Sequence, residues 1–471
     1  MTLEYERLGP ELQQMAVAAA RLRAVQAERA AQLRDVLARR ASDWDAIEAG
    51  LARAQAEHGA DPKFFRAARP LGRDEPLDQP ISAPPPPPRA TLIATDGSQI
   101  LPDRHASFLY YLINIGAIIY YHGEPTTPNV ISLPSIFYPT IEDDLTDDAP
   151  GFDKSEVTIA RDRREIETLA ALALSEQGST ARTLAVLDQR LLYWPFVGER
   201  EKTEEAVFAW TAAMTQIYET GALLAGYIDR PGKASVVTLL QTLLDDPTIN
   251  LRELGRRPGP GELTDADLYA TLLGPGQRSP VFVDVSPANS RFAEEHPLIE
   301  VCFFYLNPGS RGQELGSRGQ GPGSREEETW GLEASTPDGS SPGPWNLEPG
   351  ISSPEPGPYA LDLGPHPPAP RAARAIARVD IPRWVAEDPA AVAFVHGLIY
   401  DQCKLMGDYP YVLARADELA VVGRHDEMNL NLMIDNHMQR LGVPDSLSAA
   451  KAGSKDIARA GRTRHEFRPG I

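Results

Sequence analysis

Hydrophobic and polar positions follow three regimes along this chain. From about residue 10 to residue 58 the sequence is rich in Ala, Arg, Leu, Gln and Glu, with no Gly or Pro between Glu11 and Ala49. That composition predicts long helix, and Ser42-Asp43 offers the N-cap of a second helix. The apolar positions are mostly alanine, so the stripe this segment can bury is weak. Residues 1–80 are expected to form a helical arm packed on the main domain or on a second subunit. The proline run Pro84–Pro88 cannot be helix or central strand, and makes residues 81–89 a stiff linker.

In the second regime short apolar runs alternate with amphipathic stretches. Ala90–Thr95 predicts a strand ending at an Asp96-Gly97 turn, and Phe108–Tyr120 two buried strands joined by a turn near Asn114-Ile115-Gly116. Further strands are expected at Leu184–Leu187, Leu223–Ile228, Pro280–Val283 and Val301–Leu306. Arg161–Gln177 and Glu204–Glu219 carry helical periodicity. The third regime, residues 307–372, is dominated by Gly, Pro, Ser and Glu, with Gly-Ser-Arg-Gly imperfectly repeated. It buries too little apolar surface to offset its ordering entropy, so a disordered insertion is predicted there. Periodicity then resumes with a strand at Ala375–Asp380 and helices to about residue 443. Residues 90–306 and 373–445 are therefore expected to form one α/β domain with a mixed sheet and flanking helices. Residues 446–471 form a basic tail containing Lys451, Lys455, Arg459, Arg462, Arg464 and Arg468.

Composition narrows the function classes. The chain has 471 residues, 42% of them hydrophobic, enough for a substantial core, and a formal net charge of -20. That charge argues against a protein that coats nucleic acid over its whole surface, while a local basic strip can still hold phosphates. The two cysteines, Cys302 and Cys403, have no zinc spacing and make no disulfide framework, which fits a reducing cytoplasm. The N-terminus lacks the pattern of a signal peptide, and Phe108–Tyr120 is too short to span a bilayer. A cytoplasmic protein with no membrane partner is expected.

Several carboxylates stand where chemistry could use them. Asp96 and Asp188 each close a short apolar strand, a position that holds a carboxylate rigidly above the sheet. A lone Asp-Gly is most often a plain turn, so two strand-end aspartates matter more than one. Glu165 and Glu167 flank the apolar stripe Ile166, Leu169, Ala170, Ala173, Leu174 on opposite sides, and periodicity does not choose between them. Asp417 lies four residues from both Leu413 and Val421, inside an apolar helix face. A buried carboxylate needs a partner, either an arginine such as Arg415 or Arg383, or a cation. Hard oxygen ligands of this kind suit magnesium or manganese. His105 and His396 are lone histidines, better read as core or surface than as ligands.

Ala94-Thr95-Asp96-Gly97-Ser98-Gln99-Ile100 with Pro102-Asp103-Arg104-His105 resembles the opening motif of bacterial NurA-domain proteins. Further resembling segments follow in order: Ala225-Gly226-Tyr227-Ile228 with Arg230-Pro231, Gln277-Arg278-Ser279, Phe303–Leu306, Ala377–Trp384, and Tyr409-Pro410-Tyr411 running into Ala416-Asp417-Glu418. The resemblance spans roughly residues 89–460 apart from the insertion. It implies a ribonuclease H-like fold and a manganese-dependent (or magnesium-dependent) nuclease. The implied activities on DNA are 5′ to 3′ exonuclease and single-strand endonuclease. It also implies a homodimer that works with the HerA-type hexameric ATPase in DNA double-strand-break end resection. By resemblance the metal ligands and catalytic residues are Asp96, Glu167 (with Glu165 in reserve), Asp188 and Asp417. Tyr227, Arg230, Lys233 and Arg278 become candidates to position DNA phosphates, and Lys455 and Arg459 to hold the DNA backbone. Arg21, Arg23, Arg29 and Arg34 would let the helical arm touch DNA as well.

The chain departs from the family pattern in three places. Asp188 is followed by Gln189-Arg190 where the family often has Gly-Ser, Asp417 stands where archaeal relatives tend to have histidine, and the 307–372 insertion is not a family feature. Two other functions are therefore weighed against the nuclease: a non-catalytic DNA- and ATPase-binding adaptor, and an actin-like ATPase. The second would need Gly274-Pro275-Gly276 as a phosphate loop, although the proline removes an N–H such a loop uses.

Overall fold

The computed structural model describes residues 5–58, 65–103, 108–140, 153–195, 200–244, 249–256, 259, 262–309 and 376–442. The chain opens with helices α1 (Tyr5–Arg40) and α2 (Trp44–His58), divided where Asp43 caps the second helix. Strands β1 (Ala67–Pro70) and β2 (Ile81–Ser82) follow. A meander of three long strands comes next: β3 (Ala90–Ile100), β4 (Tyr111–His122) and β5 (Asn129–Phe137). Helix α3 (Lys154–Ser175) leads to β6 (Thr183–Leu187), and α4 (Arg200–Glu219) to β7 (Leu223–Ile228). Then come α5 (Ser235–Thr242), α6 (Asp265–Tyr269), β8 (Gln277–Arg278), β9 (Phe282–Val285), α7 (Pro287–Glu295) and β10 (Val301–Leu306). Past the insertion lie β11 (Ala377–Pro382), α8 (Arg383–Ala386), α9 (Pro389–Met406), α10 (Tyr411–Ala420) and α11 (Arg424–Arg440).

One mixed sheet runs through these elements in the order β1-β9-β10-β11-β7-β6-β3-β4-β5, with β2 and β8 joined at the side. The β3–β6 and β6–β7 pairs are parallel and the others antiparallel. Both faces are covered, which accounts for the near-continuous apolar runs in β6 and β7. Leu92, Ala94, Leu184, Val186 and Ala225 pack under α9 and α10. Ile93, Ala185, Leu187 and Leu224 pack on α3 and α4 around the fully buried Trp210. Among the described residues no helix is long and apolar enough to cross a membrane.

Two local expectations change. The Asp96-Gly97 pair is not a turn: β3 runs straight through it to Ile100, paired with β4 along its whole length. Gly97 is needed for room, since a Cβ there would lie 2.8 Å from Arg161 Cγ. Phe108–Tyr120 does not fold back at Asn114-Ile115-Gly116 but contributes the single strand β4. The N-terminal segment packs on the main domain. Its β1 extends the sheet beside β9, and Leu33, Leu37, Ile47 and Leu51 share a core with Phe282 and Phe303. The 307–372 insertion lies almost wholly outside the described residues. The strands on either side of it pair with each other, Leu306 opposite Ala377.

Candidate metal centre

The parallel register of β3 and β6 sets Thr95 opposite Leu187. Asp96 and Asp188 therefore follow at the same level on neighbouring strands. Side-chain alternation directs both toward the face that α9 and α10 cover. Helix α10 brings Asp417 to this level. The helix can approach because Gly116, opposite Asp96 in β4, has no side chain; a Cβ there would lie 2.3 Å from Ala420 N and 2.4 Å from Ala416 O. Asn114 Nδ2 donates to Leu419 O and Ala420 O at 3.1 and 2.9 Å, and Ser98 Oγ donates to Ala420 O. The last turn of α10, with its orphan carbonyls, is thus tied to β3 and β4.

Glu165 enters from the opposite face, on α3. It is buried, and Gln189 Nε2 donates to its Oε1 at 3.2 Å. The chain after Asp188 is itself fixed: Trp210 Nε1 donates to Leu191 O at 2.9 Å, and Leu191 N donates to Asp380 at 3.1 Å. Gly226 admits this segment, because a Cβ there would meet Gln189 O at 2.3 Å.

The electrostatics are those of crowded anions. Burial pushes the Asp96 carboxyl up to about 6. The Gly97 amide, 2.8 Å from Oδ1, opposes that rise, while the Asp417 carboxyl within hydrogen-bond reach adds to it. Asp188 keeps solvent-facing surface, yet protein atoms crowd its carboxyl and raise it to about 6. A hydrogen bond from the Tyr409 hydroxyl works against the shift, and the charges of Asp96, Asp417 and Asp229 work with it. Glu165 is raised well above the usual carboxylate range, by burial first and then by Asp96 and Asp162; Arg161 and Gln189 act against this. Two unit charges about 4 Å apart repel by about 4 kcal/mol at an effective dielectric near 20. Such a cluster either keeps protons or takes up a cation.

Residues 90–315 match the family model described as the NurA domain. The chain carries a NurA domain. The match places it in a nuclease family; it contains Asp96, Glu165, Glu167 and Asp188 and stops short of Asp417. No curated protein matches the chain.

The expected site residues divide. Asp96 and Asp188 stand together, and Glu165 rather than Glu167 is the glutamate beside them. Glu167 points the other way, 44% exposed and paired with Arg163 at 2.6 Å. Asp417 is at the site but not inside an apolar face. Helix α10 ends at Ala420, so Val421 is exposed and does not continue the stripe, and Asp417 lies open at its edge. Neither arginine considered for it is its partner: Arg415 pairs with Glu418, and Arg383 with Glu300 and Glu387.

The phosphate-positioning candidates fare differently. Tyr227 is fully buried, edge-on to Tyr409, with its hydroxyl donating to Asp408 O, so it belongs to the core. Arg278 is buried and held by both oxygens of Glu75. Lys233 pairs with Asp284 at 2.7 Å. Arg230 is 85% exposed, on a strained backbone with φ 49°. Lys455, Arg459 and His105 lie outside the described residues. His396 is a core residue against Gly276 O, and burial lowers it to about 4. The amides of Gly274 and Gly276 are spent on Gln277 Oε1 and Asn307 O, which leaves no phosphate loop of the ATPase kind there.

Sequence reasoning gave no role to Tyr409, Gln189 or Arg161. Tyr409 stood in a segment used only for resemblance, and Gln189 counted only as a departure. Its amide is what holds Glu165. The donor set is all oxygen, contributed by β3, the end of β6, α3 and α10, and that chemistry fits a hard divalent cation. Among the described residues no three Asp, Glu, His or Cys side chains gather tightly enough to hold an ion as placed.

Proposed function

We propose that this NurA domain is a divalent-metal-dependent DNA nuclease, with manganese or magnesium as cofactor. Its activities would be 5′ to 3′ exonuclease and single-strand endonuclease. It would act as a cytoplasmic homodimer with a HerA-type hexameric ATPase in double-strand-break end resection. One observation carries this reading: Asp96 and Asp188 share a level on parallel strands, while Asp417 and Glu165 reach them from the two covered faces. The antiparallel β5-β4-β3 meander continued by parallel β6 and β7 supports a ribonuclease H-like sheet.

Asp96, Asp188, Asp417 and Glu165 would hold the cations. When bound, a metal pair supplies a water ionised at neutral pH and a counter-charge for the departing oxygen of the phosphodiester. The chain's own groups prepare the site. Tyr409 holds the Asp188 carboxyl by donating to it, and Gln189 orients Glu165. Burial, then Asp96 and Asp162, raise the Glu165 carboxyl well above the usual carboxylate range and so oppose its charging beside them.

Incubation of 5′-labelled duplex and single-stranded DNA with manganese tests the proposal. Asp96→Ala is expected to abolish cleavage; equal digestion by wild type and variant would overturn it. A non-catalytic adaptor is favoured only by the open placement of the carboxylates. Tight binding to the ATPase, with no cleavage under any divalent metal, would establish that reading instead.

A further inference from the structure

At the end of β6 and β7 where the carboxylates stand lies a pocket of the opposite sign. A cavity of about 440 Å³ is lined by Arg66, Arg190, Lys233, Arg256 and Arg378, and among the described residues no carboxylate lines it. In a chain of net charge -20, five cations around one cavity are a strong local departure. A second cavity of about 690 Å³ shares Arg66, Arg190 and Lys233, but there the added Arg200 and Arg291 both pair with Glu204, and Asp284 also lines it, so the unbalanced positive charge stays with the first.

The floor of the pocket is rigid. Arg378 is 1% exposed and stacks over the Phe303 ring at 3.7 Å. Its Nε donates to Asp380 at 2.6 Å and its Nη2 to Asp284 at 2.9 Å, while Nη1 has no acceptor in good geometry. Asp284 also pairs with Lys233. Two buried carboxylates therefore balance the two cations of the floor. The rim is not balanced. Arg66, Arg190 and Arg256 are exposed, and among the described residues none is in salt-bridge contact with a carboxylate. Arg190 acts on Asp162 only through longer-range charge. The rim is also built to converge. Gly255 takes φ 75°, and a Cβ there would lie 2.6 Å from Arg66 N, so only glycine lets this turn bring Arg256 against Arg66. Buried Asp265 already accepts from Val237 N in the first turn of α5, so attraction for an anion comes from the side chains.

Position completes the argument. Arg190 follows Asp188 by two residues, and Ile228, at the end of the neighbouring strand, also lines the cavity. The pocket thus opens at the same end of β6 and β7 as the carboxylates. We propose that it binds a phosphate monoester, as carried by the end of a nucleic-acid strand, and so makes the protein sensitive to the phosphorylation of that end. A monoester dianion carries more charge than a backbone diester and offers three oxygens to several guanidinium groups at once. The strand-end source rests on the nuclease reading; the phosphate chemistry does not.

The test is run in chelator, without metal, so that it is independent of cleavage. Fluorescence anisotropy compares single-stranded oligonucleotides of one sequence bearing a 5′-phosphate, a 3′-phosphate or hydroxyls at both ends. Isothermal calorimetry with inorganic phosphate and with a nucleoside monophosphate tests the free source. The expected result is about tenfold tighter binding of one phosphorylated end, lost in Arg66→Ala and Arg256→Ala. Those variants touch only the exposed rim, and a third, Arg69→Ala, lies outside the pocket and should keep the preference. Phosphate or nucleotide binding, lost in the same two variants without any end preference, assigns the site to a free phosphate and overturns the strand-end source. Equal affinity for all ends together with no phosphate binding overturns the pocket altogether.

Discussion

Two clusters of ionisable groups, one buried and one partly open to solvent, sit in the same sheet and behave in opposite ways. Around Arg378, cations and anions are matched. Burial alone would raise Asp284, but Lys233 and Arg378 more than offset it and hold the carboxyl well below its usual range. Around Asp96 the matching fails: Asp96 and Asp188 are raised to about 6, and Glu165 is held well above the usual carboxylate range, with Arg161 already engaged by Asp162. A balanced buried cluster is architecture. An unbalanced one, maintained by close-packed glycines and pinned helix ends, stores unfavourable charge that a proton or a cation can relieve, which is the condition for a functional site.

Substitutions can break this contrast. The largest effect on stability is expected in the balanced cluster. Asp284→Ala leaves Arg378 and Lys233 buried without a shared partner and should cost about 3–5 kcal/mol, read from urea unfolding; a loss below 1 kcal/mol would show the network to be ornamental. Gly116→Ala should cost about 1–3 kcal/mol through overpacking. It should also weaken manganese binding, because α10 and Asp417 must back away from Asp96. Calorimetry that finds native manganese affinity in this variant would remove Asp417 from the ligand set. The smallest effect separates the clusters by pH. The unfolded pKa of Asp is about 3.9. Asp96 and Asp188 lie above it when folded, so their contribution is full below about pH 4 and is lost as pH rises through about 6. Asp284 lies below it, so its contribution is present above about pH 4 and is lost on further acidification. Metal-free protein should therefore melt roughly 2–4 °C lower at pH 8 than at pH 5, and manganese at pH 8 should restore the difference. A melting temperature flat across that range would mean the carboxylates do not strain the fold.

Much of the frame was legible because it obeys simple periods. Leu223–Ile228 and Val301–Leu306 are strands with the boundaries their apolar runs predict. The errors came where tertiary contacts override local signals. Asp96-Gly97 and Asn114-Ile115-Gly116 carry turn residues, yet both glycines serve close approach, one to Arg161 and one to α10, in fully paired strands. Glu165 and Glu167 are equivalent by periodicity, and only the position of α4 and Arg163 makes Glu167 the solvent-facing one. Tyr227, Lys233 and Arg278 carry the right chemistry for phosphate, but their neighbours Tyr409, Asp284 and Glu75 are remote in sequence. No local pattern could have shown that they were already engaged.

The pairing of β10 with β11 across residues 307–376 also bears on how the molecule is made. During synthesis, the β3–β7 half of the sheet and β10 leave the ribosome first. At roughly 5–20 residues per second the intervening chain delays β11 by about 4–14 seconds. For that interval β7 and β10 each present an edge with no neighbour, and Arg378 and Asp380 are missing from between them. The strand that seals the sheet is therefore the one a nascent chain must wait for. Chaperones have that gap in which to guard two apolar edges against pairing with the wrong chain.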